Sequence, residues 1–385
     1  MSGERDQSAD TGSSTAERLV ESRRIVVKIG SALLIDPETH ALRRGWLDAL
    51  ADDLAALRRQ GQDVVVVSSG AIAVGREHLG LVGRPLRLEE KQAAAATGQI
   101  RLAHAYQETL ARHDITVAQI LLTLSDTEAR RAHLNARATI DQLLTLGVIP
   151  VINENDTIAT NEIRFGDNDR LAARVAQMIM ADTLVLLSDI DGLYTADPRT
   201  DTGAKHIPVV RDLTPEIDAM AGRAPPGYSS GGMITKLAAA RICLSSGCRM
   251  VIAQGQAPHP LRRLAENERC TWFLPSEGPR TARKTWIAGS LAPIGRVIID
   301  DGAAEALNSG KSLLPAGVVG VEGEFRRGDP VAVTTQDGRQ IARGLSAYDN
   351  ADAALIAGHH SRDIESVLGY RGRDVMIHRD DLVLM

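Results

Sequence analysis

The sequence predicts an α/β protein: a mainly parallel sheet sandwiched by helices, followed by a small β-barrel-like domain. Between residue 24 and about residue 275, short apolar runs of strand length alternate with longer stripes of helical period. That rhythm is the mark of a parallel sheet covered on both faces. Several runs end abruptly in knots of Gly, Ser, Asn or Asp, and ligands of such sheets bind beyond the carboxyl ends of the strands. From Ile294 onward, short β-rich runs and Gly turns dominate, which reads as a separate small domain.

The elements follow in order. Residues 1–16 are polar and acidic with no apolar stretch, so 1–18 is expected to be a disordered tail rather than a signal peptide. Residues 24–29 form a strand. Trp46, Leu47, Leu50, Leu54 and Leu57 make a helical stripe. Residues 64–67 read as a strand, 93–111 as a helix, 117–122 as a strand, 129–146 as a helix and 148–152 as a strand. Then come a helix at 171–180, a strand at 183–187, a helix at 234–245 and a strand at 250–253. Composition shifts near Gly278. The expected division is therefore a main domain over 19–276, a linker over 277–293 and a β domain over 294–385. Within the last, residues 296–299, 317–321, 330–333, 341–344 and 375–377 are the strand candidates. Every motif with chemical potential ends by Lys236, so a chain stopping near Glu277 is expected to fold and keep its chemistry.

Composition excludes several classes. A net charge of −5 and 3% aromatic residues give no basis for whole-chain attraction to nucleic acid or for base stacking. Cys243, Cys248 and Cys270 are odd in number and form no C-x-x-C, which suits a reducing cytosol and argues against zinc. No apolar run has membrane-spanning length. Arginine is abundant, but there are only six lysines. In such a chain a lysine can mark a place that needs a compact point charge.

The densest cluster of polar groups is Gly147 onward, G-V-I-P-V-I-N-E-N-D, followed ten residues later by Gly166-Asp167-Asn168-Asp169. A strand delivers Asp156 to the edge of the sheet, and a helix start offers Asn168 and Asp169 beside it. Such a set suits an amino-acid ammonium group and a metal-bound phosphate better than a core. The first strand ends V-V-K-I-G-S. Lys28 there is costly unless it meets an anion, and Gly30 lets a phosphate approach the backbone. A rim lysine beside a turn glycine fits that motif equally. The second strand ends Ser68-Ser69-Gly70-Ala71, where an N-cap serine with a turn glycine is the simpler reading. Thr183 onward runs into Ser188-Asp189-Ile190-Asp191-Gly192, and Ser230-Gly231-Gly232-Met233-Ile234-Thr235-Lys236 opens a helix. Gly-Gly before a helix carrying a lysine suits phosphate, although a flexible loop and a surface lysine would look the same. The spacing is not that of a Walker loop.

Together these pieces, in order over residues 24 to about 255, resemble the amino acid kinase superfamily and within it the glutamate 5-kinase family. The tail from Ile294, with A-L-N-S-G-K-S-L-L-P-A-G-V, is similar to the PUA domain appended to many of its bacterial members. The resemblance implies a cytoplasmic enzyme that uses ATP with Mg2+ to phosphorylate the γ-carboxylate of L-glutamate for proline biosynthesis. It also implies feedback inhibition by proline and a homo-oligomer. By the same resemblance Lys28, Asp169 and Lys236 are catalytic, with Asp169 orienting the two lysines. Ser69, Asp156 and Asn168 contact glutamate. Lys28, Gly30, Gly70, Ser188, Asp189, Ser230, Gly231, Gly232, Met233, Ile234, Thr235 and Lys236 meet ATP. Ser188 and Ser68 stand where threonine is common, and both keep the hydroxyl. Phosphoryl transfer asks a protein for position and positive charge. The metal would be held by phosphates and water, so no protein metal site is expected, and no histidine falls in these motifs.

Two imitations are set aside. His378-Arg379-Asp380-Asp381-Leu382 resembles a kinase H-R-D-L loop without its Asn or D-F-G partners, and reads as a surface end of the last strand. Gly310-Lys311-Ser312 lacks the first glycine of a Walker loop and reads as a turn. A PUA-like tail suggests RNA as a rival partner. Residues 294–385, however, hold ten Arg and Lys against fourteen Asp and Glu, a balance of −4, which is a poor footprint for a phosphate backbone. Kinases for acetylglutamate, aspartate, carbamate or uridylate are the rivals within the superfamily.

Overall fold

The computed structural model describes residues 14–39, 41–158, 167–221, 232–290 and 292–385. The chain forms two compact units. The first comprises Met1–Leu124, Thr139–Leu244 and Cys248–Pro275, the second Ser125–Ala138, Ser245–Gly247 and Ser276–Met385.

In the first unit the strands are β1 (Arg24–Ile29), β2 (Asp63–Ser68), β3 (Val117–Leu122), β4 (Ile149–Glu154), β5 (Thr183–Ser188), β6 (Leu193–Tyr194), β7 (His206–Ile207), β8 (Val209–Val210), β9 (Arg249–Gln254) and β10 (Cys270–Phe273). Among the described residues, eight of them make one sheet in the order β3-β4-β2-β1-β5-β9-β10-β8. All neighbours run parallel except β10, which is antiparallel to β9. The central strands are parallel because their sequences allow nothing else to cover them. R-I-V-V-K-I, D-V-V-V-V-S and T-L-V-L-L-S are buried almost end to end, so both faces need helices. Ile29 lies opposite Ser68 on one side and Leu187 on the other, and Leu122 opposite Glu154. The carboxyl ends of β1, β2, β4 and β5 therefore share one edge.

Two helices on this unit touch backbone to backbone. A Cβ on Gly75, in helix Ala71–His78, would stand 1.8 Å from the Ala94 carbonyl oxygen. One on Gly98, in helix Leu88–Ala111, would stand 1.8 Å from that of Ala71. Only glycine permits that approach.

The second unit carries β11 (Gly295–Ile299), β12 (Val318–Gly323), β13 (Pro330–Thr335), β14 (Gln340–Leu345) and β15 (Leu382–Leu384), in the order β12-β11-β13-β14-β15. Its core gathers Val297, Ile299, Phe325, Val331, Val333 and Met376. Helices Asp301–Asn308, Asn350–Ile356 and Ile364–Leu368 pack within it, which the Gly-turn pattern did not announce.

Several expectations are corrected. The tail does not reach residue 18: Thr15–Val20 is a helix closed by a Ser14/Glu17 capping box. Thr15 Oγ accepts from Trp272 Nε1 at 3.1 Å, and the Arg18 guanidinium lies 5.4 Å from the Trp272 ring. The expected linker is largely helix Pro279–Ser290, anchored by Arg283 on Asp381. Residues 375–377 give only a bridge between Ile377 and Leu313, and the last strand is β15. Asp381 is buried rather than superficial, because Arg137 and Arg283 both reach its Oδ1, at 3.3 and 2.7 Å. Finally, the second unit is not one terminal piece, since residues 125–138 and 245–247 belong to it.

Candidate active site

Lys28 is the penultimate residue of β1 and points its ammonium at the start of helix Asp167–Met178. Lys28 Nζ lies 2.6 Å from Asp169 Oδ1, and Lys236 Nζ lies 3.3 Å from Asp169 Oδ2. The two lysines are 7% and 6% exposed, the aspartate 1%. Thr235 Oγ donates to the same Oδ2 at 2.8 Å. Burial alone would raise the Asp169 carboxyl, but the two lysines outweigh it and hold it down at about 2. Burial pulls the Lys28 ammonium below the ordinary lysine range. Asp169 opposes that pull and Lys236 adds to it. Two buried ammoniums converge on one carboxylate here, and concentrated buried positive charge favours a nearby anion. The array therefore suits an incoming anion.

Room for that anion lies beside Lys28. Gly30 caps helix Ser31–Leu34, and a Cβ there would come 3.9 Å from Lys28 Nζ while clashing with nothing. What a side chain would fill is the space in front of the ammonium. Gly70, with φ +100°, turns the chain from β2 into helix Ala71–His78, a conformation that favours glycine. At the end of β5, Ser188 is buried and donates to Asp189 Oδ1 at 3.0 Å. Asp189 is exposed, and its charge is felt by Lys28. Gly232, Met233 and Ile234 open the helix Met233–Ser245 that carries Lys236. Ile234 is exposed and Gly232 has open space around it. Ser230 and Gly231 lie outside the described residues.

Beside the charged array stands an amide cluster. Asn168 Nδ2 donates to Ser69 Oγ at 2.9 Å, to the Ser68 carbonyl at 3.2 Å and to Asn153 Oδ1 at 3.2 Å. Its two hydrogens are thereby spent. Its Oδ1 is buried with no hydrogen-bond partner among the described residues, so Asn168 has an acceptor to offer and no donor. Asp156, just beyond β4, has no cation or donor beside it among the described residues, and burial pushes its carboxyl up to about 6. A carboxylate raised by burial and an amide oxygen without a partner among the described residues are each suited to accept from a cationic donor.

The fold thus brings together Lys28, Asp169 and Lys236, and separately Ser69 and Asn168. Three roles escaped sequence reasoning. Thr235 bonds the carboxylate itself rather than only heading a phosphate turn. Asn153 pins Asn168, and Gln99 accepts from Asn153 Nδ2 at 2.7 Å. The one local signal for Gln99 was a glycine in mid-helix just before it.

The amino acid kinase family model matches residues 23–254, and the PUA domain model matches residues 295–368. The chain belongs to the amino acid kinase family. It is 63% identical over 366 residues to glutamate 5-kinase of Paramagnetospirillum magneticum, covering 95% of this chain and 99% of that one. It is 62% identical over 359 residues to glutamate 5-kinase of Rhodospirillum rubrum, covering 93% and 96%. Glutamate 5-kinase of Gluconobacter oxydans shares 60% over 374 residues, covering 97% and 99%. Within the family it is accordingly a member of the glutamate 5-kinases.

Proposed function

We propose that this chain transfers the γ-phosphoryl group of ATP to the γ-carboxylate of L-glutamate, giving L-glutamyl 5-phosphate and ADP, the first step of proline biosynthesis. The observation that carries the reading is the buried Lys28–Asp169–Lys236 array next to the unpartnered amide oxygen of Asn168, and the raised carboxyl of Asp156 just beyond β4 supports it. Asp156 and Asn168 Oδ1 take the α-ammonium, with Ser69 beside them. A γ-carboxylate oxygen attacks phosphorus as the bond to the β-phosphate oxygen breaks. Lys28 and Lys236 meet the charge on the transferring group, and Asp169 keeps both ammoniums aimed at it. The carboxylate is already a nucleophile, so no general base is required. Gly30 and Gly70 let the phosphates approach. Ser188, Asp189 and residues 230–236 border the nucleotide.

Magnesium would come with ATP. Phosphate oxygens and water would supply most of its ligands. It would neutralise phosphate charge. Proline carries an α-carboxylate and a positively charged α-nitrogen, as glutamate does, which supports inhibition at the same pocket. Homo-oligomerisation is supported by the family resemblance alone and is read by sedimentation. No described helix is long and apolar enough to cross a membrane.

The test is coupled ADP release over a panel of glutamate, acetylglutamate, aspartate, carbamate and uridylate. Glutamate alone should support turnover, with proline competing against it. Turnover with another member of the panel and none with glutamate would defeat the assignment.

A further inference from the structure

We propose that Gln99 is a positioning residue for the amino-acid substrate: through Asn153 it fixes the Asn168 side chain that faces the substrate pocket. This rests on the substrate reading given above. Gln99 lies in helix Leu88–Ala111 and belongs to none of the phosphate or carboxylate motifs. Its Oε1 accepts from Asn153 Nδ2 at 2.7 Å, across 54 residues of sequence. Asn153 is 1% exposed. Its Oδ1 accepts from the Glu154 backbone N–H at 2.9 Å and from Asn168 Nδ2 at 3.2 Å.

The polarity of this relay is set at both ends. The Glu154 N–H can only donate, so Asn153 must turn its oxygen that way and its nitrogen toward Gln99. The Ser68 carbonyl can only accept, so Asn168 must turn its nitrogen inward, which leaves Oδ1 without a partner among the described residues. Without the Gln99 oxygen, Asn153 holds a buried N–H with no acceptor, which is the costly state for a polar group. It can regain one only by turning or rotating. A turned amide sets donor against donor at Glu154 N and at Asn168. Either movement withdraws the acceptor that holds Asn168.

The helix that carries Gln99 is itself placed within narrow limits. Gly98 rests against the Ala71 carbonyl with no room for a Cβ, and Ala71 follows Ser69-Gly70 directly. Seven residues beyond Gln99, Tyr106 is buried and its hydroxyl meets Ser68 Oγ at 3.0 Å. One helix face therefore grips the ends of both β2 and β4, the strands that deliver Ser69 and Asp156.

Gln99→Leu removes the acceptor at similar volume, and Gln99→Glu keeps one. Steady-state kinetics should show KM for glutamate about tenfold higher in Gln99→Leu, with kcat and KM for ATP changed no more than about twofold. Preference for glutamate over glutarate, which lacks the ammonium, should shrink in parallel. Gln99→Glu should restore both. If Gln99→Leu does not fold, Gln99→Asn, one methylene too short to reach, should give the same split. Unchanged glutamate KM, or equal loss in kcat and both KM values without rescue by Glu, overturns the proposal. Calorimetric binding of glutamate separates this from the reaction itself. If the wild type binds glutamate without turning it over, the proposed reaction fails while the Gln99 effect is still read in Kd. If the wild type binds no glutamate, both fail.

Discussion

Two buried carboxylates in this chain have the same charge arithmetic and different fates. In the first unit Asp169 is held by Lys28 and Lys236. In the second, Asp381 is held by Arg137 and Arg283. Burial would raise each carboxyl, and in each the two cations win and lower it. The cations differ in what they have left. Arg283 sets Nε and Nη2 on one oxygen of Asp381, at 2.8 and 2.7 Å, and a planar fork used this way is a fastening. Lys28 is a point charge with one short contact and open space before it at Gly30. Counting charges would call the two clusters alike. The type of cation and the space beside it separate a staple from a candidate for chemistry.

Replacement within each cluster tests that contrast most strongly. Lys28→Ala should lower kcat by about 3–4 kcal/mol or more, roughly 10²–10³-fold, with ATP affinity comparatively intact. Lys28→Arg should not rescue, because the fork does not fit a site for a compact charge. Asp169→Asn should lose activity while keeping shape. Near-normal turnover in both Lys28→Ala and Asp169→Asn, with circular dichroism unchanged, would remove the distinction. In the other cluster, Asp381→Asn should leave kcat near wild type and cost about 3 kcal/mol of stability, since it removes the carboxylate that Arg137 and Arg283 share. Equilibrium denaturation reads that loss. A fall in kcat with no loss of stability would place Asp381 in the chemistry instead.

The amide cluster should respond less. Asn168→Ala should raise KM for glutamate far more than KM for ATP, by about one to two decades in kcat/KM, as expected for roughly 1.5–3 kcal/mol lost from a hydrogen bond to a charged group. The reverse pattern would assign the loop to the nucleotide.

The smallest effect is set by pH. Asp156 has a raised carboxyl, near 6 in the folded chain. It is ionised above that value and able to take an ammonium; below it the neutral acid cannot. kcat/KM for glutamate should therefore fall as pH drops through about 6, and this limb should vanish in Asp156→Asn. The same sign gives a stability effect. The charged form is disfavoured in the folded state, so the cost is present above the folded value and relieved below it. Asp156→Asn should melt a few degrees higher at neutral pH while losing activity. A lower melting temperature would mean that the carboxylate is held by a partner.

The parts of the fold legible in sequence were those written locally. The V-V-K-I, V-V-V-V and L-V-L-L runs announce strands wherever they fall, and the polar knots after them announce the edge where ligands bind. The antiparallel strand Cys270–Phe273 is four residues long and carries no alternation to betray it. Helix Pro279–Ser290 was read as linker because it opens on Gly-Pro and carries Arg, Lys and Thr on its exposed side. The division into domains misled for a related reason. Residues 125–138 belong with the second unit by contact, and no change of composition marks them. A chain ending near Glu277 therefore strips Arg137 of Asp381 and is expected to be less stable than a clean domain boundary would allow. At the site, the lysines and Asp169 were visible as residues in motifs. The Thr235 hydroxyl on Asp169 and the Gln99–Asn153 tie join positions 66 and 54 residues apart, and nothing local encodes such meetings.

The contact between Gly75 and Gly98 sets a limit on how this chain can vary. Each glycine faces a different carbonyl, that of Ala94 and that of Ala71. Shrinking a neighbour cannot make room, because the obstacle is backbone, which every residue has. A substitution at one site cannot be repaired by a second at the other, since neither has anything to give up. In a library holding every single substitution, these two columns should be blank after selection for growth, while the exposed Ala96 between them tolerates nearly anything. A lineage carrying this fold inherits the pair as a fixed point around which the rest of the two helices is free to drift.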